Sequence, residues 1–213
     1  MKNAIRLLIK KNLWLLRAVA SLFFDRKYLK GKCFEVRLDG WWWVATSIVT
    51  QKIVGINRGV PWPTSPFCDV GTPAGNIVFD VDDIHNFQTR GCYFQCINAR
   101  IVIGRGTYIA ANVGIITTNH DWDNLDAHLP GADVVLGESC WIGMNSVILP
   151  GVLLGPHTIV GAGSVVTKSF PEGNLIIAGN PAKEIRKLSK STSPEGPSYS
   201  GSGPCQRAQG GVR

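Results

Sequence analysis

From residue 97 to about 171 the aliphatic positions of this chain recur every six residues. The first place of each group is filled by Ile97, Ile103, Ile109, Ile115, Leu136, Ile142, Ile148, Leu154, Val160 and Val166. Glycine stands second at 104, 137, 143, 155 and 161, and the fifth place is small or β-branched at Thr107, Val113, Cys140, Ser146, Val152, Thr158 and Ser164. Fifteen residues, 121–135, interrupt the count after the fourth group. A period of six suits neither a helix, which repeats at 3.6, nor plain strand alternation. It suits a short extended piece followed by a turn, with the aliphatic side chain pointing into a narrow interior and the glycine after it easing the bend. Three such pieces close a triangular coil of eighteen residues, and coils stacked about 4.8 Å apart hydrogen-bond strand to strand. The 29 positions from Ser139 to Thr167 carry no Asp, Glu, Lys or Arg, enough for a bilayer span. Their glycines and prolines keep the six-residue step, which a spanning helix has no reason to keep, so this stretch is read as coil.

The flanks read differently. Residues 3–24, within an N-terminal unit 1–27, predict an amphipathic helix: Ile5, Leu8, Ile9, Leu16, Val19, Ala20 and Phe23 recur at three-to-four spacing, while Lys2, Arg6, Lys10 and Arg17 share another side. Such a helix either lies at a membrane interface or packs on the body with a solvated charged edge. Residues 28–75, with Trp41-Trp42-Trp43 and the Gly59–Pro63 punctuation, predict an irregular segment of short extended pieces and turns. Three successive tryptophans on a strand alternate sides, so at least one should meet something other than the core. The coil domain is taken as 76–188, closed by a turn at Ala178–Lys183 and a short helix over Lys183–Leu188. Residues 189–213, rich in Ser, Gly and Pro, predict a flexible tail.

Charge then sharpens the picture. The 213 residues carry a net +7, but residues 1–37 alone hold ten basic and two acidic side chains, and the remaining 176 hold 12 and 13. All the excess is N-terminal and the main body is balanced, which argues against a nucleic-acid enzyme and for a phospholipid or partner surface. Of the six cysteines (Cys33, Cys68, Cys92, Cys96, Cys140 and Cys205) no pair forms a CxxC or a zinc spacing with histidine. Cys92 and Cys96 share one face of an extended stretch, where a disulfide is open to them, but buried thiols in a reducing cytosol fit the set better. No secretory signal is read at residues 1–16, and the expected location is cytoplasmic, with peripheral contact at the inner face of the membrane as the role open to the helix.

Candidate chemistry centres on His120, the last residue of the fourth group, at the root of the 121–135 excursion. A long loop leaving a strict coil points to function. An imidazole there can take a proton from an attacking hydroxyl, with Asp121 or a backbone carbonyl holding its other nitrogen. A backbone N–H in the Trp141–Met144 turn is a candidate donor to negative charge developing in such a reaction. Asp80, Asp82 and Asp83 either bind an acceptor or end a strand.

With the hexads, Thr117-Thr118-Asn119-His120-Asp121, Cys140-Trp141-Ile142-Gly143, Gly161–Lys168 and Ala178-Gly179-Asn180-Pro181-Ala182, the chain resembles the hexapeptide-repeat acyltransferases. Within them it is similar to the galactoside/maltose O-acetyltransferase-like group, and residues 26–66 look like those of bacterial acyltransferases of surface polysaccharides. The resemblance implies a left-handed parallel β-helix, a homotrimer and acetyl-CoA as cosubstrate in the cleft between neighbours. It implies His120 as general base supported by Asn119 and Asp121, and direct acyl transfer to a sugar or polysaccharide precursor. Trp141 and Met144 would sit at the acyl transfer point, Ala162 against the pantetheine arm, Thr167 and Lys168 further along, and Lys183 and Arg186 at the phosphates. Gln95 or Asn98 would meet the acceptor. Two competing readings are a metallo-hydratase of the β-helix carbonic anhydrase type, for which His85, His120, His128 and His157 show no convergence, and a non-catalytic trimeric scaffold docked by its basic helix. No metal is expected.

Overall fold

A computed structural model describes residues 2–188. The hexads wind as a left-handed parallel β-helix with three walls. The first wall stacks Asp69–Val70, Tyr93–Gln95, Gly114–Ile116, Val147–Ile148 and Val165–Val166. The second stacks Ile77–Phe79, Ile101–Ile103, Val134–Leu136 and Leu153–Leu154; the third stacks Tyr108–Ile109, Trp141–Ile142, Thr158–Val160, Leu175–Gly179 and, antiparallel at its end, Ala182–Lys187.

Register follows from the leading aliphatics. Phe94, Ile115, Ile148 and Val166 stand over one another in the first wall, Ile103, Leu136 and Leu154 in the second, and Ile109, Ile142, Val160 and Ile177 in the third. All are buried, as is every fifth-place residue named above, while Ile97, where the register slips, is half-buried. Ile142 and Val160 are eighteen residues apart, but Ile109 and Ile142 are thirty-three apart. The difference is the length of the excursion, so the loop leaves and returns without shifting a single aliphatic off the core.

The turns are made differently from the expectation. The second-place glycines do not adopt positive φ; a Cβ on Gly143 would lie 2.6 Å from Ala162 N, and one on Gly137 would lie 2.6 Å from the Gly155 carbonyl carbon. They are needed because coils approach closely there. The left-handed bend sits at the fourth place: Gly106, Asn112, Ser139, Asn145, Gly151, His157 and Gly163 all have φ between 54° and 78°. This gives His157 a corner position with a geometric role. At the fourth group that place is Thr118, a β-branched residue ill suited to left-handed φ, and there the coil opens into the excursion.

Three other expectations are corrected. From Gly55 to Pro73 the segment runs in turns and short extended pieces as expected, but residues 28–54 are largely helical, with Lys32–Glu35, Asp39–Ser47 and a π-helical continuation Ile48–Val54. The three tryptophans lie on the second of these, where successive side chains point about 100° apart. Trp41 is buried edge-on against Phe34 at 5.2 Å and donates to the Phe34 carbonyl at 3.0 Å, Trp43 packs on the core, and Trp42 is exposed. Residues 183–188 form no helix: the turn at Gly179, with φ 105°, folds Ala182–Lys187 back along the edge of Leu175–Gly179. The N-terminal helix is two, Lys2–Lys11 and Leu13–Ala20, parted at Asn12, whose side chain donates back to Leu8 O at 2.8 Å. The predicted tail, 189–213, lies outside the described residues.

Burial settles the thiols. Cys33, Cys68, Cys92, Cys96 and Cys140 are free and buried, and burial pushes all five up in pKa. The aspartates of 80–83 serve the fold. Asp80 accepts from Asp82 N at 2.8 Å, Asp82 from Lys32 N at 2.6 Å, and the buried Asp83 from Gly106 N at 2.6 Å. They anchor a 3-10 helix, Val81–Gln88, that covers the open edge of the third wall, where Asn86 bonds both Thr107 O and Ile109 N at 2.9 Å.

His85, on that helix, has both ring nitrogens buried without a hydrogen-bond partner and lies against Tyr108 at 4.7 Å. Burial holds its pKa below the ordinary imidazole value, only partly offset by Asp83. The unfolded chain takes up this proton near pH 6.5 and the folded chain only at lower pH. The contribution is therefore complete above about pH 6.5 and lost as pH falls below it. Replacing His85 with phenylalanine is expected to flatten the acid loss of thermal stability between pH 7.5 and 5.0; identical slopes for both proteins would discard this account.

Candidate active site

The strand Gly114–Ile116 ends at the edge where the first wall turns into the second, and Gln95, one coil earlier, braces that end. Its side-chain oxygen accepts from Thr117 N at 3.0 Å and Thr118 N at 3.1 Å. Thr117 donates to Ile97 O at 2.9 Å, and Thr118 reaches across the excursion to Leu129 O at 2.7 Å. Asn119 O accepts from Leu129 N at 2.9 Å and Ala127 O from Asp121 N at 3.0 Å, so the excursion starts as a narrow two-stranded ribbon. Its return is pinned where Asp133 takes Arg100 N at 2.8 Å and the guanidinium at 2.7 and 3.0 Å, contacts that hold the carboxyl below the usual carboxylate range. Nothing in the spacing of these two residues singles them out; the pair is legible only once the coils are stacked.

His120 is exposed on this ribbon, with Nδ1 2.7 Å from Leu125 O. A carbonyl oxygen only accepts, so Nδ1 carries a proton and, in the neutral ring, Nε2 keeps the lone pair. Of the two partners left open by the sequence, the backbone carbonyl is the one used. Asp121 instead closes the ribbon's turn, accepting from Asp123 N at 2.9 Å, and Asn119 contributes its main chain. The expectation that His120 and His128 stay apart is overturned: the ribbon bridges them, and their rings lie 4.4 Å apart. His85 and His157 stand elsewhere, and among the described residues no three His, Cys, Asp or Glu side chains gather as a metal site.

The other candidate residues divide between two edges of the prism. Thr167 and Lys168, both exposed, follow the first wall and share the edge of His120. Met144 and Ala162 lie on the edge where the third wall turns into the first, joined by Gly163 N donating to Met144 O at 2.8 Å. Gly143 N donates to Val160 O at 2.8 Å, whereas Met144 N, in the same turn, has no main-chain acceptor among the described residues. Trp141, exposed, stands on the outer face of the third wall in a row with Tyr108, Ile159, Ile176 and Arg186, and Lys183, second in the last strand, stands beside Ala178. Tyr108 is an addition; it fills the sixth place of its hexad just as Trp141 does, and that shared slot was the available signal. Gln95 spends its carbonyl oxygen on the brace, and Asn98 is an exposed left-handed corner residue with φ 56°.

Comparison with known proteins places this architecture. Residues 133–168 match the family model described as bacterial transferase hexapeptide (six repeats). The chain is 42% identical over 131 residues to a Saccharomyces cerevisiae protein named "Putative acetyltransferase YJL218W", covering 60% of this chain and 62% of that one. It is 35% identical over 91 residues to the galactoside O-acetyltransferase of Escherichia coli, covering 41% and 44%. A solved maltose O-acetyltransferase from Clostridium difficile aligns at 36% identity over 46% of this chain and 54% of its own, with a TM-score of 0.43. The chain thus spans between 44% and 62% of the length of these relatives.

Proposed function

Because this chain carries the bacterial transferase hexapeptide repeat, we propose that it moves an acetyl or similar short acyl group from coenzyme A to a hydroxyl of a sugar or polysaccharide precursor. The observation that carries this reading is the His120 Nδ1 to Leu125 O bond, which leaves Nε2 free and basic at the edge of a hexapeptide coil. In the transfer, Nε2 takes the acceptor's hydroxyl proton as that oxygen attacks the thioester carbon. The carbonyl oxygen gathers negative charge that Met144 N–H can meet. The tetrahedral centre then collapses, the carbon–sulfur bond breaks, and the coenzyme A thiolate takes the proton back from the imidazolium. No covalent enzyme intermediate forms. Galactoside and maltose in the names of two relatives support a sugar acceptor.

Within one prism the edges of His120 and Met144 lie at opposite ends of the first wall, an extended hexad or roughly 20 Å of chain apart, while base and oxyanion donor must both come within about 3 Å of the reacting atoms. The site is complete only if the His120 edge of one copy meets the Met144 edge of the next, as in a homotrimer. Trp141, Ala162, Lys183 and Arg186 then line one side of the coenzyme A cleft, and Thr167 and Lys168 the other. The five free buried thiols support a reducing, cytoplasmic setting. Among the described residues no helix is long and apolar enough to cross a membrane.

The test is acetyl-CoA consumption by the full-length protein against nucleotide sugars and oligosaccharides, with the ester located by mass spectrometry. An O-acetylated sugar is expected from at least one acceptor. Coenzyme A binding with no acyl transfer to any of them would favour the scaffold reading instead.

A further inference from the structure

The N-terminal helices carry more apolar surface than the body of the protein uses. Ile9, Leu13, Leu16 and Ala20 turn to the core. On the opposite side Leu8, Trp14, Leu15, Val19 and Leu22 are exposed, Trp14 at 71% and Leu22 at 78%. Leu15 and Val19 stand at i and i+4 of one helix face, and Leu22 lies in the turn that follows, its N–H donating to Val19 O at 3.2 Å. Of the two roles the sequence left open for this helix, packing on the body therefore accounts for one stripe and leaves a second bare. The helix is clamped to the body in a way that fixes the direction of that second stripe: Arg17 donates to Leu29 O at 3.0 Å and pairs with Glu35.

The surroundings of the bare stripe are cationic. Lys10 and Lys11 end the first helix, Arg26, Lys27 and Lys30 follow the second, and all five are exposed. Glu35, one of only two acidic residues among the first 37, is already paired with Arg17. The π-helical segment Ile48–Val54 meets this region through Lys52, whose Nζ stands 5.0 Å over the Phe24 ring, and it carries the exposed Val49 and Ile53.

Two occupants could cover such a face, a second copy of the chain or a lipid surface. Two copies would oppose the same excess of positive charge across a shared contact. An anionic bilayer complements it, accepting apolar side chains at the acyl boundary and Lys and Arg at its headgroups, with the indole of Trp14 at the level where amphipathic rings settle. We propose that this face docks the protein on an anionic membrane surface, the helices lying in the plane of the interface with Trp14, Leu15, Val19 and Leu22 inserted. This stands independently of acyl transfer, and it would hold a catalytic prism beside an acceptor carried on lipid.

The experiment is co-sedimentation of full-length protein with vesicles of phosphatidylcholine alone, or with a quarter phosphatidylglycerol, at low and high salt. Partitioning is expected to be at least about tenfold stronger on the anionic vesicles and to fall by a similar factor in high salt. Leu15→Glu with Leu22→Glu should abolish it, and Lys10→Glu with Lys11→Glu should weaken it about tenfold; all four sites are exposed, so the fold is retained. Equal binding to both vesicles, or no change in either double variant, overturns the proposal. So does a Leu15→Glu, Leu22→Glu protein whose assembly mass falls in solution, since that outcome assigns the stripe to a contact between copies.

Discussion

Replacing His120 with alanine is expected to lower acyl transfer by about 10²–10⁴-fold, the range over which a positioned general base acts. Coenzyme A binding and assembly should survive, because the substitution removes little else. The imidazole is exposed, and its hydrogen bond in the fold is the one to Leu125 O. The ribbon that carries it is held by Thr118 to Leu129, by Asn119 to Leu129 and by Asp133 to Arg100. His120→Asn sharpens the test, since its amide can still donate to Leu125 O but has no basic nitrogen to offer the acceptor. If the base is the essential feature, asparagine is as inactive as alanine; if His120 merely ties down the loop, asparagine restores turnover. Stopped-flow or thiol-release assays at saturating acetyl-CoA distinguish the two. Activity within tenfold of wild type in the alanine variant would dispose of the mechanism.

The place of His120 was legible in the sequence, and the reason is physical: a period-six repeat shows its own interruption, and His120 stands at the break. The core was legible for the same reason, since a narrow prism has room for one aliphatic and one small side chain per hexad, and all but Ile97 of the leading positions are buried. The turn residues were less so. Glycine in second place suggested torsional freedom, yet the left-handed corners belong to the fourth place, where Asn112 and Asn145 carry the same signal in another residue type. Outside the repeat, local pattern fails where a partner element decides. Lys183–Leu188 has no apolar alternation, because Ala182 alone of its strand is buried and the edge of Leu175–Gly179 supplies the pairing. Trp41–Trp43 look too crowded for a helix until Phe34 is seen to take Trp41. His128 is eight residues from His120 in sequence, and only the antiparallel return of the ribbon brings the two rings together.

The division of the candidate residues between two edges leads to the second large effect, which appears only in mixtures. Ala162 is exposed on the Met144 edge, so Ala162→Trp should obstruct the proposed pantetheine path without disturbing the core and should abolish transfer by itself, as His120→Ala is expected to do. Contacts between unlike edges around a ring are head-to-tail, each copy lending its histidine to one neighbour and its cleft to the other. Co-expressed in equal amounts, the two inactive chains rebuild a whole site wherever an Ala162→Trp subunit gives its His120 to the intact cleft of a His120→Ala subunit. Random assembly makes about one such site in four. Differently tagged chains, purified through both tags, should therefore recover a substantial fraction of wild-type turnover from two parents with essentially none. Were both groups supplied to the site by the same protomer, every site in the mixture would carry one lesion or the other, and no proportion of the two chains would regain activity. The recovery therefore measures whether the geometry that separates His120 from Met144 by a whole wall within one chain is closed by the wall of another.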